Sequence, residues 1–338
     1  MDSSVRVLDC TLRDGAYLVN KDFGQSCITG ITNGLINAGI DIVEVGFFQN
    51  DEFGEGKTVY KNSEMAKKYV PQKKNGVQYS VLADFSRYDI NNLDDYDEDS
   101  IDIIRACFFK NERYEVIDFC KKIIEKGYKC FIQPVDILGY TDFEILELLD
   151  SVNKIRPFCF SIVDTFGSMY EEDLKRLYEL INYNLFSDCF LGFHSHNNLQ
   201  MSGALTQCFI RMSQGTRTVV VDATLAGMGR GAGNTPTELV AQYLNQKYSH
   251  NYNMDEILDL LDTYIDSLRY RCSWGYTTQF FVAGTNSSHV NNILVTKKRS
   301  GEGAVREFIE WMLGSERLED VISEILEKQK EENDDLNG

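Results

Sequence analysis

The feature that most restricts the fold is a regular alternation. Short, nearly continuous apolar runs are each followed by a stretch whose apolar residues recur at helical spacing. The runs are Val5–Leu8, Asp41–Phe47, Val77–Leu82, Ile101–Phe108, Tyr128–Val135, Phe158–Val163, Cys189–Phe193 and Thr218–Val221. Helical patterns lie between them at Phe23–Ala38, Ser63–Tyr69, Glu112–Lys126, Asp142–Lys154, Glu171–Asn184 and Leu199–Met212, while Asn91–Asp99 is too acidic to bury much and reads as a solvated connector. Strands that are apolar throughout are buried on both faces, as in a parallel sheet covered by helices. Eight such units in succession predict an α/β fold, a (β/α)8 TIM barrel. The barrel is expected over residues 1–248. A helical C-terminal appendage, opening with helix Met254–Tyr270, is expected over 249–328, and a charged, disordered tail over 329–338.

In such a barrel the carboxyl ends of all eight strands gather at one mouth, so residues far apart in sequence can meet. The first run ends in Asp9-Cys10-Thr11-Leu12-Arg13-Asp14-Gly15 and the seventh in His194-Ser195-His196-Asn197. Histidines spaced i, i+2 on an extended strand point to one side. Two imidazoles and a carboxylate make a metal site with coordination positions left open, so Asp14, His194 and His196 are expected to share one divalent cation. The alternatives are an ordinary turn with an ion pair at Arg13-Asp14 and histidines bonded to backbone or to each other. By the same placement Arg13, Glu44, Arg105, Gln133 and Asp164-Thr165 are expected to look into the mouth. The eighth run enters a glycine-rich loop, Asp222 to Asn234. There the backbone N–H groups around Gly229 and Gly231 are expected to cradle an anion, with a plain flexible loop as the alternative. The loop lacks the Lys-Ser/Thr of a P-loop and the early position of a dinucleotide fingerprint, which excludes both.

Composition narrows the partners. The formal net charge is −18 and no loop gathers Lys and Arg, which argues against nucleic acid. The N-terminus has no charged segment leading into an apolar one, and no apolar run approaches membrane-spanning length, so neither export nor a membrane is expected. The nine cysteines are scattered through apolar segments without a C-x-x-C pair. That usage suits small buried thiols in a reducing, cytoplasmic setting.

Three motifs together carry a resemblance: T-L-R-D-G at Thr11 to Gly15, H-x-H-N at His194 to Asn197, and A-G-x-G-x-G-A-G-N at Ala226 to Asn234. In this combination and order the chain resembles the metal-dependent aldolase and Claisen-condensing TIM-barrel family. That family includes 4-hydroxy-2-oxovalerate aldolase, isopropylmalate synthase and hydroxymethylglutaryl-CoA lyase. The resemblance implies metal ligands at Asp14, His194 and His196, with Asn234 as a fourth contact. It also implies manganese or magnesium as the ion, with zinc or cobalt as alternatives, Arg13 as the enolate-stabilising residue, and Thr165 against the substrate carboxylate.

The chain departs from the family at Asp14-Gly15-Ala16-Tyr17, where the synthases resemble D-G-E-Q. It departs again at Met228-Gly229-Arg230-Gly231, which lacks the synthases' Glu-Arg and the lyase's loop cysteine. The aldolases place a histidine acid/base where Tyr17 stands, which leaves Tyr17 or His289 of the appendage for proton transfer. A phenol near pKa 10 is a poor base at neutral pH unless the metal or Arg13 depresses it. The implied activity is carbon–carbon bond cleavage or formation in a 4-hydroxy-2-oxo acid, through a pyruvate-type enolate. Rival readings are condensation of an acyl-CoA with a 2-oxo acid, an iron oxygenase using the same ligand set, and a binding module that keeps the barrel as scaffold. Related aldolases pair with an aldehyde dehydrogenase through their C-terminal region; the appendage here diverges, so no such partner enzyme is assigned. The aromatic segment Trp274 to Phe281 either buries in a homodimer or packs on the barrel.

Overall fold

The computed structural model describes residues 5–71, 73 and 76–288. Eight strands carry the fold: β1 (Val5–Asp9), β2 (Ile42–Phe48), β3 (Gln78–Asp84), β4 (Ile103–Phe108), β5 (Lys129–Pro134), β6 (Cys159–Asp164), β7 (Phe190–Ser195) and β8 (Val219–Ala223). Neighbours in the chain are parallel neighbours in space, and β1 pairs with both β8 and β2, which closes the sheet into a barrel. The expected eight-stranded parallel barrel is therefore the observed one, and its strand boundaries fall within two residues of those read from the apolar runs. A two-residue strand, Val59–Tyr60, adds to β2 outside the ring.

The covering helices are α1 (Gln25–Asn37), the short α2 (Ser63–Lys67), α3 (Val116–Glu125), α4 (Asp142–Ile155), α5 (Glu171–Asn184), α6 (Ser202–Ser213) and α7 (Thr237–Tyr248). After β3 there is only a 3-10 turn, Ile90–Asn92, in keeping with the acidic connector. Helix α4 shows why these segments start where they do. Thr141 accepts the Glu144 N–H and Glu144 returns a bond to the Thr141 N–H, a capping box that satisfies two otherwise orphaned donors. The helices' apolar stripes meet the outward faces of the strands in one large core.

Inside the barrel the side chains lie in layers. A lower layer of Leu8, Ile42, Ile103, Phe131, Cys159 and Val220 is apolar and dry. One pleat further along the same strands the residues are Cys10, Glu44, Arg105, Gln133, Ser161 and Asp222, buried yet mostly polar. Gly192 on β7 makes room for this layer, since a Cβ there would lie 2.2 Å from the Ser161 hydroxyl.

The helix expected at Met254 to Tyr270 is present as α8 (Met254–Leu260), a π-helical turn (Leu261–Ile265) and a final turn (Asp266–Arg269). It docks on α1 through Gly30 and Gly34, where added Cβ atoms would strike Tyr264 and Leu260 at 2.0 and 2.4 Å. Trp274 packs on the barrel, its indole N–H donating to the Ala226 carbonyl at 2.9 Å. Tyr276 and Phe281 stay exposed. The compact unit that holds the barrel ends at Ser287. Among the described residues no helix is long and apolar enough to cross a membrane.

Candidate active site and metal centre

The β1 end is built for display. The chain turns at Cys10 into a single helical turn, Thr11–Asp14, and a 3-10 turn, Gly15–Leu18. Two bonds lock the end of β1 and this turn in place: Leu225 N–H of the β8 loop to Thr11 Oγ1 at 2.8 Å, and Thr237 Oγ1 at the start of α7 to Asp9 Oδ2 at 2.6 Å. Asp14 lies beside His194 of β7 and His196 just beyond it.

One oxygen of Asp14 is the focus. Its Oδ2 lies 2.9 Å from Arg13 Nη1, 3.3 Å from His194 Nε2 and 3.7 Å from His196 Nε2. Asp14, His194 and His196 are all buried, and their ligand atoms lie within 4.8 Å of one another. Burial alone would raise the Asp14 carboxyl, but Arg13, His196 and His194 hold it well below the usual carboxylate range. His194 is likewise penalised by burial, yet bonds to Asp14 on one side and Asp222 on the other raise its pKa. Burial takes His196 down to about 4, so it is the neutral imidazole that ligates metals.

Asn234 supplies the test of whether a cation fits. Its side chain is 2% exposed and Nδ2 reaches the Met228 carbonyl at 3.4 Å, but buried Oδ1 has no hydrogen-bond partner. An unsatisfied buried amide oxygen is costly unless something cationic or a water meets it. Asn234 pairs with His196 across an isolated backbone bridge, which sets the residue beside the histidine end of β7. A carboxylate, two imidazoles and an amide oxygen suit a divalent ion that keeps open positions.

Below the ligands the polar layer forms one ion chain. Arg13 Nε donates to Glu44 Oε2 at 2.7 Å, Arg105 Nη1 donates to the same oxygen at 2.9 Å, and Arg105 Nη2 is paired with Asp222. Asp222 in turn receives His194 Nδ1 at 2.9 Å. The arrangement orients one imidazole nitrogen from behind and leaves the other facing Asp14. Cys10 also lies near His194 and Asp222, but Asp222 is committed to Arg105 and the Cys10 thiol donates to the Ala223 carbonyl.

The structure sorts the other expected residues. Arg13 and Glu44 belong to the site. Arg105 and Gln133 were expected at the substrate, yet they are 1% and 3% exposed: Arg105 is spent on Glu44 and Asp222, and Gln133 on Ser161. Asp164 does not face the mouth, because alternation turns it outward from β6; it accepts bonds from Ser168 N–H and Ser195 Oγ instead. Thr165 is half-buried at the strand end, and its Oγ1 accepts the Asp136 N–H at 2.7 Å. Tyr17 is 36% exposed at the rim, with the Arg230 guanidinium 3.9 Å above its ring. Burial raises the phenol's pKa, against the pull of Arg230 and Arg13. His289 lies outside the described residues.

Much of the glycine loop's backbone is bonded inside the protein. The N–H groups of Gly227, Met228, Arg230, Ala232, Gly233 and Asn234 all donate within the protein, Arg230's to Asp14 Oδ1 at 3.3 Å. Gly229 is there for close approach: a Cβ would lie 2.0 Å from Asn234 Nδ2 and 3.1 Å from Asp14 Oδ1. The loop packs directly against Asp14 and Asn234. The sequence reading passed over Asp222 as a site residue, although an acid ending the apolar run Val219–Val221 is the same signal that singled out Glu44.

Known proteins resemble this chain over most of its length. It is 28% identical over 270 residues to an oxaloacetate decarboxylase of Mycobacterium tuberculosis, covering 75% of this chain and 74% of that protein. It is 24% identical over 266 residues to a 4-hydroxy-2-oxovalerate aldolase of Pseudoalteromonas translucida, covering 76% and 75%. Among solved structures, the N-terminal domain of a presumed aldolase from Bacteroides vulgatus superposes with a TM-score of 0.75 at 24% identity, over 89% of this chain and 99% of that one, a likeness of fold. The expected carbon–carbon lyase agrees with the two relatives' names. A profile of the HMGL-like family matches residues 4–263. Because that match runs from β1 through the barrel into the helices after β8, the chain belongs to the HMGL-like family.

Proposed function

We propose that the protein is a divalent-metal-dependent lyase that cleaves or forms a carbon–carbon bond of a 4-hydroxy-2-oxo acid through a pyruvate-type enolate. The observation that carries this reading is the Asp14 oxygen shared by Arg13, His194 and His196. Asp14, His194, His196 and Asn234 would hold the ion, manganese or magnesium first. Bound there, it would supply Lewis-acid polarisation of the 2-oxo group.

The chain's own residues do the rest. Arg13 adds a permanent positive charge where the enolate oxygen develops, and its bond to Glu44 aims it. Thr165 accepts from the Asp136 amide, so its own hydroxyl proton is directed elsewhere and suits the substrate's carboxylate. In the cleavage direction the O4 proton passes to solvent water at the exposed rim, the C3–C4 bond breaks to give an aldehyde and an enolate, and C3 then takes a proton. Tyr17 remains a phenol at neutral pH, so we assign it as the proton donor to C3 rather than as the base. The nine free thiols support a cytoplasmic setting.

A second reading has one observation in its favour. A rim residue that is an acid suffices when a 2-oxo acid loses a carboxylate from C4, because carbon dioxide leaves the same enolate and only a proton must be supplied. The name of the M. tuberculosis relative describes such a reaction for that protein.

The test is pyruvate release from 4-hydroxy-2-oxo acids and from oxaloacetate, with manganese or magnesium added and with a chelator. Release from the hydroxy acids that the chelator abolishes supports the aldolase. Release from oxaloacetate alone moves the assignment to decarboxylation. No release while metal is bound, with free thiol formed from acetyl-CoA and a 2-oxo acid, moves it to condensation.

A further inference from the structure

Trp274 belongs to the segment that follows the barrel, yet it touches both arms of the loop that carries Asn234. Its indole N–H donates to the Ala226 carbonyl at 2.9 Å, on the arm leaving β8. Its ring closes on the returning arm, where a Cβ added to Gly233 would lie 3.3 Å from Trp274 Cδ1. Arg269, in the last turn of the appendage helix, covers a face of the indole with its Cζ 4.6 Å from the ring centre. The same segment holds the loop at a further point. Helix α9 (Thr278–Thr285) brings Gly284 so close to the β7 loop that a Cβ there would lie 3.1 Å from Asn198 Cβ, and Asn198 Oδ1 accepts the Ala232 N–H at 2.9 Å.

Ala226 is where the grip matters. It is a left-handed residue, with φ +51° and ψ 24°, in a region that disfavours any side chain with a Cβ. Such a backbone persists only where its surroundings over-determine it. Here they do, because its N–H donates to Glu238 Oε2 at 3.0 Å while its carbonyl accepts from Trp274. From Ala226 the chain enters Gly227, whose carbonyl accepts the Asn234 N–H at 3.0 Å and closes the base of the loop. Gly233 crosses that base so tightly that a Cβ on it would lie 2.0 Å from the Gly227 oxygen. The position of Asn234 therefore follows from how Ala226 is turned, and Trp274 supplies one of the two bonds that turn it.

We infer that Trp274 is a positioning residue for the metal centre: bonded to Ala226 and packed on Gly233, it holds the glycine loop so that Asn234 meets the ion. The inference rests on the proposed metal centre and extends its support beyond the barrel. Trp274 touches none of Asp14, His194 and His196, so its effect on the ion passes through the loop and Asn234.

The experiment is a double-mutant cycle on manganese binding, measured by calorimetry on the full chain for wild type, Trp274→Phe, Asn234→Ala and the double variant. Phenylalanine keeps a ring over Gly233 and removes the N–H. Trp274→Phe should weaken manganese binding about 3- to 10-fold, the worth of one hydrogen bond. In the Asn234→Ala background, where Asp14, His194 and His196 still hold the ion, the same change should cost less than about twofold. Hydrogen exchange on the metal-free proteins gives a readout that needs no ion: the Ala226 and Asn234 amides should exchange about 3- to 10-fold faster in Trp274→Phe, with those of β8 unchanged. Unchanged affinity, an equal loss in both backgrounds, or loop amides that exchange no faster overturns the inference while the metal assignment stands. Wild type that takes up no manganese overturns the metal assignment, and the role of Trp274 with it.

Discussion

Two adjacent layers of the barrel interior, one pleat apart on the same strands, contain side chains of opposite character. The lower holds Leu8, Ile42, Ile103, Phe131, Cys159 and Val220, and its contribution is burial and close packing. The upper holds Glu44, Arg105 and Asp222, at 0%, 1% and 4% exposure, joined into one chain of ion pairs that ends on Arg13 and His194. Taking such charges out of water is expensive, and apolar residues of similar volume are often as stable or more so. Stability therefore does not account for the upper layer. Position does: each charge in it aims a group at the mouth, and Glu44 Oε1 is even left without a hydrogen-bond partner. The lower layer keeps the barrel folded, and the upper keeps the site in register.

The largest effect expected is at the point where the upper layer meets the mouth. Asp14→Ala removes the oxygen on which Arg13, His194 and His196 converge, and it should abolish manganese binding and cut pyruvate release by at least about 1,000-fold. Equilibrium dialysis and a turnover assay check both; an active, metal-free variant breaks the metal assignment outright. The matching change one layer down is Phe131→Ala. Phe131 is 1% exposed and stacks on Phe158 at 5.9 Å, so truncation should destabilise by about 3–5 kcal/mol in denaturant unfolding. Activity per folded molecule should stay close to wild type. A matching collapse of turnover in the folded fraction would show that the layers do not divide the work as described.

Asp222→Asn tests the upper layer itself. The carboxylate is held below its usual range, against the push of burial, chiefly by Arg105 and His194, so it is an anion throughout the neutral range. The amide keeps the shape and removes the charge that orients His194 Nδ1. We expect metal affinity to fall about 10- to 100-fold. The ring-nitrogen spectrum of His194 should show a changed tautomer or protonation balance, which a merely destabilised barrel would not produce. Unchanged affinity with an unchanged spectrum would reduce Asp222 to a partner for Arg105.

The two layers also differ in how legible they were. The barrel could be read from periodicity, because apolar strands and amphipathic helices leave a local imprint on composition. The convergence of His194 and His196 was readable because two residues apart on a strand means one face. Asp14 followed from the closure of the barrel, which brings strand ends together. The partners of Arg105 and Gln133 were not legible: a strand position specifies that a side chain points inward, not that Glu44 of β2 and Asp222 of β8 will reach Arg105 or that Ser161 of β6 will reach Gln133. The short helical turn at Thr11–Asp14 was hidden for a similar reason, since it is held by bonds from Leu225 and Thr237, more than 200 residues away in sequence. The seating of the glycine loop depends on an approach of Gly229 to Asn234 so close that an added Cβ would lie 2.0 Å from Nδ2, which no spacing rule encodes.

The smallest effect lies at the rim, beyond both layers, where Tyr17 meets solvent. Burial outweighs Arg230 and Arg13 and raises the phenol above its ordinary value near 10, so from pH 6 to 9 the group is an O–H donor. If Tyr17 delivers the proton to the enolate carbon, Tyr17→Phe should slow turnover by about tenfold, less than the usual contribution of a positioned acid because solvent at the exposed rim can supply the proton instead, by the same factor at every pH in that interval. If instead it were the base, wild-type activity would climb with pH through the phenol's titration, and the phenylalanine variant would lose most at the alkaline end. Profiles of kcat and kcat/KM for both proteins distinguish the cases. A parallel pair of curves places proton delivery at Tyr17. Converging or crossing curves would mean that the rim residue titrates in the working range, and that its environment in the working enzyme is more strongly cationic than Arg230 and Arg13 alone make it.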